Sequence, residues 1–224
     1  LKSMSVPKKD GDKPRPLSDA TVRLRIRYLT AACRWAWKHH GFGEADPAAK
    51  VTVPEVKNER YFYIDRAEML RIARATKNRN ARMALRIGFY SGMRLAEILR
   101  AIPQGDRWHL GKTKNRDPRI VPIHPRAAVC ARNLQKVAKI TVQKNVKAAC
   151  KAVGMPWLHF HDIRHSTASE MVNAGVDLYT VGAVLGHKDP RSTARYAHLS
   201  TDRQADAIAK VGQISPTTKL RRVA

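Results

Sequence analysis

The chain is 224 residues long and carries 43 Lys and Arg against 18 Asp and Glu, a formal net charge of +25 with its nine His neutral. At 43% hydrophobic residues it has enough apolar content to bury a core over one or two domains, so the charge sits on a globular protein rather than a disordered basic tail. So positive a surface favours a polyanion as partner, nucleic acid ahead of a membrane surface, and disfavours acidic proteins and small neutral ligands. Cys33, Cys130 and Cys150 are odd in number and contain no CxxC pair, which argues against a disulfide framework or a thiolate zinc site and fits a reducing cytosol. No apolar run reaches the roughly 20 residues a bilayer requires. The chain opens at Leu1 without a signal-peptide pattern and is expected to be a fragment.

Residues 1–17 are rich in Lys, Pro, Gly and Ser and read as a flexible basic lead-in. Ser18 then offers an N-cap, and a helix is predicted from there to about Lys38, ended by Gly41. Val22, Ile26, Leu29, Cys33 and Trp37 fall on one face of it. Arg23, Arg27, Arg34 and Lys38 form a basic stripe beside that face; it reads either as a solvated flank or as a surface for DNA phosphates. Two prolines within 46–59, with no helical period, mark a linker.

A second unit opens at Tyr61–Ile64. Asp65 with Glu68 forms a capping-box pattern, and helices are predicted over Arg66–Thr76, over Arg79–Tyr90 and, after Gly92, from about Leu95. Trp108–Leu110 and Arg119–Ile123 read as two strands of a hairpin around the polar turn Lys114–Pro118. Beyond it Val142, Val146, Ala149 and Val153 share a helical face, with Lys144, Lys147 and Lys151 on another, and Gly154, Gly175 and Gly186 punctuate the remainder. The predicted class is mainly α with a small antiparallel β-sheet.

Two motif outlines fail on inspection. Gly105 to Gly111-Lys112-Thr113 resembles a Walker A loop but has five residues between its glycines where the motif has four, and no strand precedes it. His161-Asp162-Ile163-Arg164-His165 has the outline of HExxH, yet Asp is a methylene shorter than the water-activating Glu, and an Arg within the motif opposes a dication. Neither a nucleotide cofactor nor a metal is expected. What stands is a set of phosphate-directed groups around a tyrosine: Arg94 at a helix opening in Gly-Met-Arg-Leu-Ala-Glu, Lys114 in the hairpin, His161 and Arg164 one helical turn apart, Gly186-His187, and Tyr196 in Thr-Ala-Arg-Tyr-Ala-His-Leu.

In residue types, chain order and local context this set resembles the tyrosine recombinases, the phage-integrase family. The resemblance covers about Tyr61 to Leu199. Residues from Leu17 to Val51, ending in Asp46-Pro47-Ala48, look like the last helices of that family's core-binding domain. It implies a partial, truncated helical core-binding domain over 18–56 and an integrase-type catalytic domain with a C-terminal tail over 57–224. It also implies double-stranded DNA as partner, a homotetramer on paired sites, no membrane, and a cytoplasmic place in a bacterial or phage-infected cell.

By the same resemblance Tyr196 is the nucleophile of a covalent 3′-phosphotyrosine intermediate, and His187 is a third donor to the phosphate that Arg94 and Arg164 grip. Lys114 is protonated at neutral pH and so ready to donate to the leaving 5′ oxygen. His161 is the expected base or hydrogen-bond partner of Tyr196. His165 and His198 match no catalytic role and read as structural or DNA-contacting. Asp162 is expected to brace Arg164 or cap its helix, and Glu97 to pair with a basic neighbour. The steps from Arg94 to Lys114 and from Lys114 to His161 are compact for the family, so a strand or loop is expected to be trimmed. Two other functions share parts of this pattern: type IB topoisomerase-like relaxation, and a non-catalytic DNA-binding module.

Overall fold

The structure, a computed structural model, describes residues 16–41, 43–56, 62–111, 118–199 and 208–209. It divides into two units, Leu1–Arg60 and Tyr61–Ala224. The first contains α1 (Asp19–His40), capped as its sequence requires: the Ser18 side chain accepts from the Thr21 N–H, and Gly41 takes the left-handed conformation that ends the helix. The expected apolar stripe does not become a core. Thr30 is the buried residue of α1; Val22, Ile26, Cys33 and Trp37 are half-buried, and Leu29 is 66% exposed. Leu24, Tyr28 and Trp35 are exposed as well. Among the described residues of this unit no second layer covers that face.

The second unit is helical around a small sheet. α2 (Arg66–Ala75) starts in the full capping box of Asp65 and Glu68, α3 (Arg79–Ser91) is capped by Asn78, and α4 (Leu95–Ile98) is a single turn. The helix expected from Leu95 ends after this one turn. β1 (Pro103–Gln104), β2 (Arg107–Leu110) and β3 (Arg119–Pro122) form one antiparallel sheet in the order β1-β2-β3, with Trp108 opposite Val121 and both buried. β1 was not predicted, and the turn of the β2–β3 hairpin, with Lys114, lies outside the described residues.

α5 (Pro125–Asn133), also unpredicted, opens with Pro at its first position and the His124 ring accepting from the Arg126 N–H. α6 (Lys139–Ala152) buries Val142, Val146, Ala149 and Cys150, as the period predicts. α7 (Phe160–Asn173), α8 (Leu178–Leu185) and α9 (Arg191–Ala194) complete the unit. α3 is the central element, packed against α2, α5, α6 and α7.

Two apolar clusters result. The larger runs from Ile64 through Met69, Ile72, Leu85, Trp108 and Val146 to Ile163; the smaller joins Ala168, Val172, Val181, Leu185 and Tyr196. α7 runs from one into the other. No helix among the described residues is long and apolar enough to cross a membrane.

Candidate active site

Arg94 follows α3 directly, and Gly92 makes that exit possible. Its φ of +63° is left-handed, and a Cβ there would lie 2.5 Å from Leu185 Cδ2, so a side chain would have to displace that of Leu185. Glu97, 4% exposed, then organises the cations. It accepts from the Arg94 N–H at 2.9 Å, from Arg94 Nη1 at 2.9 Å and from Arg119 Nη2 at 2.8 Å. Burial works against this carboxylate, but the Arg94 N–H and the Arg119 charge outweigh it and hold its pKa below the ordinary value. The basic neighbours expected for Glu97 are therefore Arg94 and Arg119. Arg119 was not foreseen, because its partner stands at a long sequence separation, on another element.

Arg164, buried on α7, donates Nη1 to Gly92 O at 2.8 Å and Nη2 to Leu185 O at 2.5 Å, while Arg119 Nη1 donates to Val184 O. Two guanidiniums thus satisfy carbonyls at the C-terminus of α8, where partners inside the helix are lacking and the dipole favours cations. Burial and the charges of Arg94 and Arg119 push the Arg164 pKa down to about 9, which still leaves it protonated at neutral pH. A guanidinium has five N–H donors, so Arg164 retains three beyond these two bonds.

Arg94, Arg164 and His161 line one cavity of about 310 Å³, together with Arg100, Lys139 and Gln143. Three guanidiniums around the single Glu97 leave this corner with an excess of positive charge. His187 and Tyr196 do not line that cavity. His187, after the left-handed Gly186, has Nδ1 2.8 Å from Thr193 Oγ1, and burial with Arg164 and Arg94 pushes its pKa down to about 4. It faces a groove of about 520 Å³ with Tyr179, Gly182, Lys188 and Thr193.

Tyr196 is 5% exposed in the smaller cluster, and burial raises its pKa against the pull of Arg195 and Arg164. Its hydroxyl lies 2.5 Å from Nδ1 of His165, the residue that sequence reasoning had set aside, and not beside His161 as expected. The His161 ring stands edge-on to His165 with centroids 5.2 Å apart. Sequence spacing held one usable signal, since His161 and His165 are four apart and share a helical face. Asp162 caps its helix, one of the two roles expected of it: its Oδ2 accepts from the His159 N–H at 2.8 Å.

The residues predicted to touch DNA separate into groups. Arg34 is tied to Asp46 at 2.9 Å and to Ala48 O, so it fastens its own unit; Arg27 and Lys38 are exposed, and Arg23 is half-buried. Lys147 is likewise committed, with Nζ 2.6 Å from Pro156 O and 3.3 Å from Leu158 O. Lys144 and Lys151 are exposed, and Lys144 joins Lys147, Gln143, His159 and His161 around a cavity of about 430 Å³.

The chain resembles known proteins in sequence and in fold. The model of the phage integrase family matches residues 125–203. The chain is 26% identical over 210 residues to a shufflon-specific DNA recombinase of Escherichia coli, covering 83% of this chain and 52% of that one. It is 25% identical over 223 residues to the tyrosine recombinase XerC of Corynebacterium glutamicum, covering 86% of this chain and 72% of that one. It thus spans about half to three quarters of the length of these relatives. In fold it is similar to a lambda integrase tetramer bound to a Holliday junction, at a TM-score of 0.65 and 17% identity, covering 77% of this chain and 60% of that one. The family match over residues 125–203, the recombinase relatives and the mostly helical fold with its small antiparallel sheet make the chain similar to the tyrosine recombinases, the phage integrase family.

Proposed function

We propose that the chain is a site-specific DNA recombinase that cleaves and rejoins strands through a covalent 3′-phosphotyrosine, without metal or ATP. The observation that carries this reading is the cation cluster around Glu97: Arg94 and Arg164 open on one cavity with His161, with positive charge in excess, while a tyrosine is held on the elements just beyond. A phosphodiester supplies the missing negative charge. The guanidinium forks bind its non-bridging oxygens and neutralise the charge that develops as a fifth oxygen bonds to phosphorus. His187, with Nδ1 engaged by Thr193, keeps Nε2 as a third contact to the phosphate. Tyr196 Oη attacks, the 5′ oxygen leaves with a proton from Lys114, and the phosphotyrosine link conserves the bond energy for religation.

On this reading residues 18–56 are a partial core-binding domain, and 57–224 are the catalytic domain with its tail. The partner is double-stranded DNA in the cytoplasm of a bacterial or phage-infected cell. The assembly is a homotetramer on paired sites, a reading supported by the likeness to the lambda integrase tetramer. The net charge of +25 predicts DNA affinity that falls steeply with salt.

Covalent capture tests the reading. The protein is incubated with a randomised library of nicked duplexes, and complexes that survive a denaturing gel are sequenced. A Tyr196-dependent adduct insensitive to EDTA is expected, and Tyr196→Phe abolishes it. DNA binding with no adduct from any duplex would leave a binding module, and loss of the adduct in EDTA would overturn the metal-free mechanism. Plasmid relaxation without joining of two marked duplexes would make the protein topoisomerase-like.

A further inference from the structure

We propose that His165 is the general base for Tyr196: its Nδ1 accepts the phenol proton as Oη attacks the scissile phosphate. The proposal rests on the reading of Tyr196 as the nucleophile and assigns the proton acceptor that this reading leaves open.

Geometry comes first. Among the described residues the side-chain partner of the Tyr196 hydroxyl is His165, with Nδ1 at 2.5 Å and the two rings tilted at 45°. A base must lie within hydrogen-bond reach of the proton it takes, and His165 meets that condition. His161, Arg164 and His165 project from one side of α7, so a short sequence of groups leads from the phosphate cavity through His161 to His165 and then to Tyr196.

Protonation states agree with this geometry. Burial, then the charges of Arg195, His161 and Arg164, push His165 down to about 4, with Asp162 opposing them and His187 standing as a further neighbour. Burial raises the Tyr196 phenol, so at neutral pH it keeps its proton while the imidazole is bare. The hydrogen bond then runs from Tyr196 O–H to Nδ1, with the ring proton on Nε2. A phosphodiester entering beside Arg164 offsets part of the positive field that depresses His165, so the imidazole becomes more basic as substrate arrives.

The step balances. A lone pair of Oη forms the bond to phosphorus while the O–H proton passes to Nδ1. The bond from phosphorus to the 5′ oxygen breaks with its electron pair on that oxygen, which takes the proton of Lys114. In religation the imidazolium returns its proton to the departing phenolate. His161 is thereby released from the role of base and faces the phosphate.

The test measures single-turnover adduct formation on the duplex obtained by covalent capture. His165→Gln keeps a hydrogen-bonding side chain but cannot take a proton, and is expected to slow the adduct about 100-fold or more while DNA binding is unchanged. Replacing Tyr196 by a fluorinated, more acidic tyrosine is expected to restore a large part of that loss in His165→Gln, because an acidic phenol depends less on a base. Equal rates for wild type and His165→Gln would overturn the proposal, as would a slow His165→Gln that fluorotyrosine does not rescue. Absence of an adduct from the wild type would instead overturn the underlying reading of Tyr196. Should His165→Gln unfold, ¹⁵N NMR of the wild type decides: a bare Nδ1 with the proton on Nε2 supports the proposal, and a protonated Nδ1 at neutral pH overturns it.

Discussion

The C-terminal unit holds two cores of very different size, and the reactive groups divide between them. The larger packs α2, α3, α5, α6 and the sheet around fully buried Met69, Ile72, Leu85 and Ile163, and Arg94 stands at its edge. The smaller gathers five buried residues of α7, α8 and the segment after α9, and Tyr196 is one of them. The cores are stapled where Arg164 reaches both Gly92 O and Leu185 O and Arg119 reaches both Glu97 and Val184 O. The groups that bind charge are thus fixed by the stronger scaffold and by ionic bonds. Tyr196 follows the short helix α9 in a cluster with less apolar area to hold it.

The contrast can be broken most severely at Glu97. Glu97→Ala leaves Arg94 and Arg119 without their buried counter-charge and is expected to cost about 4 kcal/mol in denaturant unfolding, with loss of covalent capture. An unchanged midpoint would show that the cations do not depend on it. Leu185→Ala removes a fully buried side chain from the smaller core, with an expected cost of about 3 kcal/mol. Hydrogen exchange should then lose protection in α8 and around Tyr196 while α3 stays protected; simultaneous loss in α3 would make the two cores one cooperative unit.

A third effect follows from His165 and His187, both with native pKa pushed down to about 4. The unfolded chain, with His near its ordinary value of about 6.5, binds more protons across the interval between, so stability is complete above that value and declines as pH falls toward 4. A loss of roughly 2 kcal/mol from each of them by about pH 5 is expected. It should be read as a falling Tm that His165→Gln and His187→Gln blunt; a Tm flat from pH 7 to 5 is the outcome against it.

The smallest effect separates fastening from DNA contact. Lys147→Met frees Pro156 O and Leu158 O ahead of α7 and should cost about 1 kcal/mol of stability with the salt dependence of DNA binding unchanged. A phosphate-contacting Lys147 would instead lower the salt slope by about one.

Local signals were legible along the whole chain. Ser18 and Gly41 delimit α1, the Asp65 and Glu68 box opens α2, Gly92 ends α3, and the α6 period places Val142, Val146 and Ala149 in the core. Each depends on residues a few positions apart, within reach of one helical turn. Periodicity failed to predict burial in α1, because an apolar stripe specifies a face but not the layer that covers it. α5 went unread although His124 and Pro125 mark its start.

By itself, then, the sequence determined the class of the fold, its principal caps and the residue types required for phosphoryl chemistry, since these are properties of neighbours along the chain. Tertiary structure alone decided that Glu97 holds Arg119, that Arg164 staples two helix ends, and that His165 rather than His161 meets Tyr196. Those pairings join distant segments, and which side chains come within hydrogen-bond reach is fixed only when α3, α7 and α8 pack together.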